Sequence, residues 1–481
     1  MRIRSVLSVL GFILVVVGLL MLCVLPISLS YDGEDAYALA VSGLLTVGVG
    51  AVGWYVNRKK SGELGAREGF MIVGLGWVVA SLFGCLPFLI TGAIPSFTDA
   101  YFEVVSGFTT TGATILTNVE ALPEGLLFWR SLTQWIGGLG IILLSIAILP
   151  ILGVGGMQLF QAEVPGISVE KLAPRISQTA RILWMVYVLL TVVQMALLVG
   201  GGMTLFDAAC HSFTTVSTGG FSTKNASIAH YQSSYIEQVI IVFMFLAGTS
   251  FALHYRALRG EWRSYVRDNE FTFYAVLVVL ASLLVFLAIP FGERDELGKV
   301  VQAAVFQTVS ILTTTGFVTA DYELWFPAAQ WILLMLMFAG ACTGSTAGGI
   351  KLVRILVLLK NGINQLKMLI HPRAILPVRH NGKSLDQEII IDILTFFILF
   401  VLIFIVASLA MTALGMDIVS SAGAVAASLG NIGPGLGSVG AVDNYAHVPM
   451  IGKWILVFCM LTGRLEIFTI IVLLTPAFWR R

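Results

Sequence analysis

Charge is scarce in this chain. Only 11% of its 481 residues are Asp, Glu, Lys or Arg, against about 25% in an average soluble domain. The few charges nearly cancel, at net +1, so the strongly basic face of a nucleic-acid binder is excluded and no nucleic-acid partner is expected. Cysteine is sparse as well. Cys23, Cys85, Cys210, Cys342 and Cys459 are odd in number and scattered, with no CxxC pair or metal-ligand spacing. A disulfide framework is thereby excluded, and each reads as a small apolar core residue. There is no HExxH, no Rossmann fingerprint and no nucleophile–base pair, and His211 and His254 stand alone without ligand spacing. The sequence therefore offers no enzyme chemistry and no organic cofactor site. What fills the chain is apolar: 57% of residues are hydrophobic, with a mean hydropathy of +0.92. A soluble protein has no interior large enough for that surface, and the fold class is an all-α polytopic membrane protein.

Apolar runs that suffice to cross a bilayer, at about 20 residues each, lie at 5–30, 37–57, 69–92, 126–153, 181–201, 236–255, 271–291, 328–342 continuing to 360, 388–414 and 450–478. They predict ten helices. The first begins with Arg2 and Arg4, as a signal peptide does, but its apolar part is too long for one and no A-x-A site follows. It reads as a retained span. With the N-terminus inside and the spans alternating, the inner segments hold Arg2, Arg4, Arg58, Lys59, Lys60, Arg67, Lys171, Arg175, Arg181, Arg256, Arg259, Arg263 and Arg267. They also hold the Lys and Arg residues from Lys351 to Lys383, and Arg480 with Arg481, for 22 of the 28 basic residues. Arg130, Lys224, Arg294, Lys299 and Lys453 fall opposite, and Arg464 falls within a span. This asymmetry follows the positive-inside rule and predicts an even number of spans with both termini cytosolic.

Four shorter semi-apolar segments lie between long spans, at 97–109, 204–216, 300–312 and 417–429. Segments of this length are too short to cross and are candidate re-entrant helices. The unit is span, half-helix, loop, span, and it recurs four times after two extra N-terminal spans. Each half-helix ends in a glycine tract: Thr110-Thr111-Gly112, Ser217-Thr218-Gly219, Thr314-Thr315-Gly316 and Asn431-Ile432-Gly433. Aligned on Gly112, Gly219, Gly316 and Gly433, the spacings are 107, 97 and 117 residues. Irregular backbone at membrane depth is tolerated only where it is buried in protein or lines a water-filled cavity. Four such loops meeting on one axis can turn carbonyl oxygens toward a cation and replace its hydration shell, as the single central glycine of TVGYG does in potassium filters. Glycine permits the backbone angles and the close approach, and the carboxyl ends of the half-helices carry partial negative charge. Small residues in one tract alone would serve helix packing; four in register point to a filter.

At these residues the chain resembles the Trk/Ktr/HKT superfamily of cation transporters, most closely bacterial potassium uptake membrane subunits of the TrkH type. The resemblance covers nearly the whole chain, and Asn431 to Gly437 is its most specific tract. It implies two N-terminal spans (1–68), then four span–pore-helix–filter-loop–span repeats around one pore at 69–155, 156–265, 266–365 and, with a basic cytosolic loop, 366–481. It implies a potassium filter at the twelve tract residues named above, with K+ as the only bound and transported metal. It also implies an intramembrane gate in the Gly-rich run Gly340 to Lys351, whose members Gly340, Gly344, Ser345, Thr346, Gly348 and Gly349 suit a continuous helix poorly because glycine is costly there. The run is not a phosphate loop: Ile350 separates Gly349 from Lys351, and no Ser or Thr follows. A plain kinked, tightly packed helix is the structural alternative.

A charge inside a span is a functional-site hypothesis by default. The resemblance places Arg464 at the pore near the gate, where it sets a barrier for cations or holds the gate loop through its carbonyls; pairing with Glu466 or another carboxylate is the alternative. Glu103, Gln134 and Asp207 are polar groups of lower weight, placed for structural bonds behind the loops or for attracting cations at the mouth. The family further implies a bacterial inner-membrane location, a homodimer with one pore per protomer, a separate cytosolic RCK-type nucleotide-binding regulatory subunit docking on the basic loop at 351–387, and lipid contacts there. Passive flux and symport with H+ or Na+ both stay open. An alternating-access transporter of another cation or small solute is the competing function, although such folds repeat in units of several spans.

Overall fold

The computed structural model describes residues 3–58, 65–140, 176–290 and 297–480. The second half of the expected span at 126–153, the boundary expected at 155, and Arg2, Lys59, Lys60, Lys171, Arg175, Arg294 and Arg481 lie outside them.

Ile3–Ser30 and Ala36–Asn57 form an antiparallel hairpin. Glycines let the two backbones touch: a Cβ on Gly11 would strike the Gly50 carbonyl, and one on Gly18 would strike that of Gly43, the small-residue packing typical of membrane helices. Four span–pore-helix–span units follow. The first spans are Ala66–Gly84 continuing into Leu86–Thr91, then Ile176–Gly200, Asn269–Leu287 and Gln387–Ala413. The pore helices are Phe97–Phe108, Leu205–Val216, Leu297–Leu312 and Ile418–Gly430. Ser96, Thr204 and Asp417 cap three of them by accepting the backbone N–H of the third residue on, satisfying donors that have no intrahelical partner.

The expectation of about ten spans, with only the closing span of the third repeat interrupted, is refined by the structure. Among the described residues, six helices are long and apolar enough to cross a membrane, or seven if one bent pair counts as a span. The difference lies in the closing helix of each repeat. Glu124–Gly138 closes the first repeat as far as the described residues go. Ser234–Ala247 and Phe251–Leu258 meet at 101°. Pro327–Ala339 and Leu352–Ile370 are separated by the intramembrane loop. Met450–Arg464 stops before Phe468–Leu474, across a turn in which Glu466 is left-handed at φ 51°. A hydropathy window averages over the breaks after Ala247 and Arg464, so apolar composition alone reads those two as continuous.

The core is mostly apolar but encloses buried hydroxyl side chains around the pore-helix ends, and the outer faces of the spans are apolar too. Ser106, Thr109, Thr214, Thr215, Ser310 and Thr313 are buried, whereas Val276, Val279, Leu280, Leu283 and Leu284 project from Asn269–Leu287. This pattern fits a surface solvated by lipid and a centre where the irregular backbone is buried in protein. Beyond Ile370 the chain turns through a short hairpin, Arg379–His380 with Lys383–Ser384. Its tip, Asn381 and Gly382, is left-handed at φ 48° and 79°, the Asn-Gly combination favoured in two-residue hairpin turns.

Candidate functional site

The four glycine tracts follow directly on the carboxyl ends of the pore helices, and their backbones are nearly superimposable in hydrogen bonding. The amides of Thr110, Thr218, Thr314 and Asn431 each donate to the carbonyl three residues back, and those of Thr111, Gly219, Thr315 and Ile432 to the carbonyl five residues back. Thr110, Thr218, Thr314 and Asn431 are all left-handed, at φ 52°, 55°, 58° and 56°, a conformation uncommon for residues other than glycine. Two residues after each comes a glycine of positive φ: Gly112, Gly220, Gly316 and Gly433.

This corrects the register of the second tract. Gly219 is not the counterpart of Gly112, Gly316 and Gly433; it occupies the place of Thr111, Thr315 and Ile432, and Ser217 that of Thr109, Thr313 and Gly430. The Ser-Thr-Gly match by residue type misleads because two glycines are adjacent. The better signal is the following residue, since Gly220-Phe221 repeats Gly316-Phe317.

In the corrected register the glycines form a closed ring. A Cβ on Gly112 would collide with the carbonyl oxygen of Gly219, on Gly220 with that of Thr315, on Gly316 with that of Ile432, and on Gly433 with that of Thr111. Each repeat thus presses its glycine on the residue before the next repeat's glycine, in the order one, two, three, four and back to one. The tract residues are almost entirely buried, and Asn431 Nδ2 closes the ring again by donating to Thr111 Oγ1 at 3.0 Å and to the Met460 carbonyl at 2.9 Å.

Side chains behind the ring hold it, and they differ between repeats. Gln134 brackets the second loop: its Nε2 donates to the Gly219 carbonyl at 2.6 Å, and its Oε1 accepts from Phe221 N at 3.0 Å. Tyr445 donates to the Gly433 carbonyl at 2.7 Å, and Ser310 to that of Phe317 at 2.7 Å. Glu103 accepts from Ile115 N at 2.9 Å and pairs with Arg130 at 2.7 Å. Arg130 also donates to the Ser222 carbonyl at 3.0 Å, so this buried pair links the exits of the first two loops. Asp207 is turned to Thr204 and Thr223. His211 bridges the Asp207 carbonyl and Ser222, and His254 bridges Tyr265 and the Leu246 carbonyl. Glu103, Gln134 and Asp207 are thus all engaged behind the loops. Outside the spans, Glu323 accepts from Gly437 N at 2.5 Å; partial burial raises its carboxyl above the ordinary range against the pull of that bond.

The run Gly340–Lys351 packs against the carboxyl ends of the pore helices. Gly340 ends its helix at φ 71° and lies against Gly349, itself at φ 72°. The Gly344 carbonyl accepts from Phe251 N, and Cys342 N donates to the Gly248 carbonyl, both at 3.0 Å, knitting this limb to the bend in the second repeat. Ser345 Oγ donates to the Cys342 carbonyl. At the apex Thr346 Oγ1 donates to the Val216 carbonyl at 3.0 Å, and Gly348 N donates to Thr314 Oγ1 at 2.7 Å. A Cβ on Gly348 would strike the Gly430 carbonyl. The loop therefore meets parts of the second, third and fourth repeats at once.

Arg464 donates to the carbonyls of Thr346 at 2.6 Å, Gly137 at 2.7 Å and Gly138 at 2.6 Å. It binds the apex of the loop and the closing helix of the first repeat. Glu466 pairs instead with Arg354, on the helix that leaves the loop. Those partners are invisible in sequence, since they sit more than a hundred residues away. Among the described residues no group of three or more His, Cys, Asp or Glu is placed to hold a metal ion.

Residues 37–481 match the sequence profile described as a cation transport protein, TrkH. The chain belongs to this family. It is 41% identical over 487 residues to the Trk system potassium uptake protein TrkH of Salmonella typhimurium, and 42% identical over 488 residues to that of Halomonas elongata, with both chains fully covered in each case. Identity to the Trk system potassium uptake protein TrkG of Escherichia coli is 35% over 484 residues, covering 100% of this chain and 99% of that one. The fold is similar to the crystal structure of the potassium transporter TrkH from Vibrio parahaemolyticus, with a TM-score of 0.89, 39% identity and full coverage of both chains. The chain is thus a multi-span membrane protein of a transporter family, not an enzyme.

Proposed function

We propose that this chain is the potassium-translocating membrane subunit of a K+ uptake system. The observation that carries the reading is the closed ring of four glycine loops at the pore-helix ends. Backbone carbonyls of Thr110 to Gly112, Thr218 to Gly220, Thr314 to Gly316 and Asn431 to Gly433 replace the hydration shell of K+, and the pore-helix carboxyl ends favour the cation. The loop from Gly340 to Lys351 is the gate. Arg464 holds its apex and adds a positive barrier to the pathway. The family's potassium-uptake relatives and the seamless order of the ring support this over alternating access, in which two multi-span halves rock about a central site.

The remaining parts of the reading follow the family. The chain divides into two N-terminal spans and pore repeats bounded at 69, 156, 266 and 366. It sits in the bacterial inner membrane with both termini cytosolic and assembles as a homodimer with one pore per protomer. A separate RCK-type nucleotide-binding subunit docks on the basic segment after the gate, which also touches anionic lipid. The test is rubidium uptake into liposomes containing the purified protein, with sodium as competitor and with the regulatory subunit and nucleotide added in separate arms. Uptake that K+ suppresses far better than Na+ is expected. No cation flux in any arm, or flux displaced by a small organic solute, overturns the proposal.

A further inference from the structure

The helix that leaves the intramembrane loop, Leu352–Ile370, has no cap of its own. Its N-cap is Lys351, left-handed at φ 73°, with no side-chain cap bond; a lysine ammonium has no acceptor to offer, and this one donates to the Ala347 carbonyl. The cap comes from the first span of the same repeat. Glu270, in the first turn of Asn269–Leu287 and 6% exposed, accepts Val353 N at 3.0 Å. The same carboxylate oxygen accepts Thr343 N, in the opposite limb of the loop, at 2.7 Å. One buried side chain therefore holds both limbs, and a carboxylate is the group best suited to a helix N-terminus.

The two residues before it hold something else. Asn269 N donates to Asn381 Oδ1 at 2.8 Å, and Asn381 Nδ2 donates to Asp268 Oδ2 at 2.8 Å. Asn381 is the tip of the hairpin at 379–384. That hairpin also lies on the exit helix, where Lys360 Nζ donates to the Arg379 carbonyl at 3.0 Å. Three consecutive residues thus join the hairpin on one side to the loop on the other.

We propose that Glu270 is the positioning residue that keeps the intramembrane loop under the filter, and that Asp268 and Asn269 tie this hold to the hairpin tip. The proposal rests on the reading of that loop as the gate. The loop leaves its place only when Glu270 releases at least one limb, and displacement of the hairpin shifts the helix start that carries Glu270. Charge-assisted bonds to backbone N–H are the stronger class, so the hold weakens in steps from glutamate to glutamine to alanine.

The experiment uses the full chain in liposomes, with rubidium uptake, the rubidium-to-sodium ratio, and hydrogen exchange at the Thr343 and Val353 amides as readouts. Glu270→Ala is expected to raise uptake severalfold, leave the ion ratio at the wild-type value and remove protection at both amides. Glu270→Gln, which keeps an accepting oxygen and serves if the alanine variant does not fold, is expected to do so to a smaller degree. Asn381→Ala is expected to raise uptake less than Glu270→Ala and to add nothing to it. Gly348→Ala, which forces the loop off the Gly430 carbonyl by bulk alone, is the control for the gate. If Gly348→Ala raises uptake and the Glu270 variants do not, the role of Glu270 is overturned and the gate stands. If neither raises it, the gate reading fails and the role of Glu270 fails with it. Wild-type uptake in Asn381→Ala, with the Glu270 variants elevated, overturns the link to the hairpin.

Discussion

The ring of four glycine loops and the run from Gly340 to Lys351 are both glycine-rich, both largely buried and in direct contact, yet they are built on opposite plans. The ring is made four times over: the same left-handed residue, the same pair of backbone bonds and the same glycine pressed on the next carbonyl. No single contact carries it. The loop occurs once, and a few side chains from elsewhere hold it, chiefly Arg464 at the apex and Glu270 at the base. Redundancy suits a part that must keep one shape, as the proposed filter does. A small number of releasable bonds suits a part that must have two positions, because two discrete arrangements separated by a modest free energy are what a ligand or partner can bias.

The comparison is broken most directly by one kind of substitution made in both places. Gly220→Ala places a Cβ on the Thr315 carbonyl and strains a positive-φ site, so rubidium flux in liposomes is expected to fall to the protein-free background. Gly348→Ala makes a similar collision with the Gly430 carbonyl but at a backbone conformation alanine can adopt. Here the loop yields, and flux is expected to rise: overpacking costs of about 1–3 kcal/mol, at about 1.4 kcal/mol per tenfold, shift the closed population by roughly one to two powers of ten. Equal signs for the two substitutions would erase the distinction. A subtler effect comes from Gln134→Leu, which keeps the bulk but frees the Gly219 carbonyl and Phe221 N. A severalfold change in rubidium-to-sodium preference is expected, with flux through the gate otherwise intact, and an unchanged ratio would show that the bracket serves stability alone.

Much of the ring was legible in the amino-acid sequence. The four pore helices lie within three residues of their expected limits, for instance Phe97–Phe108 against 97–109, because a short amphipathic run ending in Gly is a local signal. The register of the second tract was not legible from Gly219, since adjacent glycines leave residue type ambiguous and only the backbone φ of Thr218 and Gly220 resolves it. The breaks in the closing helices were half-visible: Gly340 to Gly349 stands out by composition, while the bend after Ala247 rests on a single glycine and two small polar residues. What sequence conceals altogether is the partner of each buried charge. Arg464 with the carbonyls of Thr346, Gly137 and Gly138, Glu466 with Arg354, or Glu270 with Thr343 and Val353, are pairings set by how distant helices pack, and no spacing rule reaches that far.

One consequence of the ring concerns how such a protein can change. In a filter made of four identical chains, every substitution is applied in quadruplicate. Here the quadrants share a backbone plan but have private supports, Gln134 for the second and Tyr445 for the fourth. With the ring as the proposed filter, a mutation adjusts the surroundings of the ion one quarter at a time while the other three quarters preserve the template, and preference among cations becomes a quantity that selection can alter in small increments.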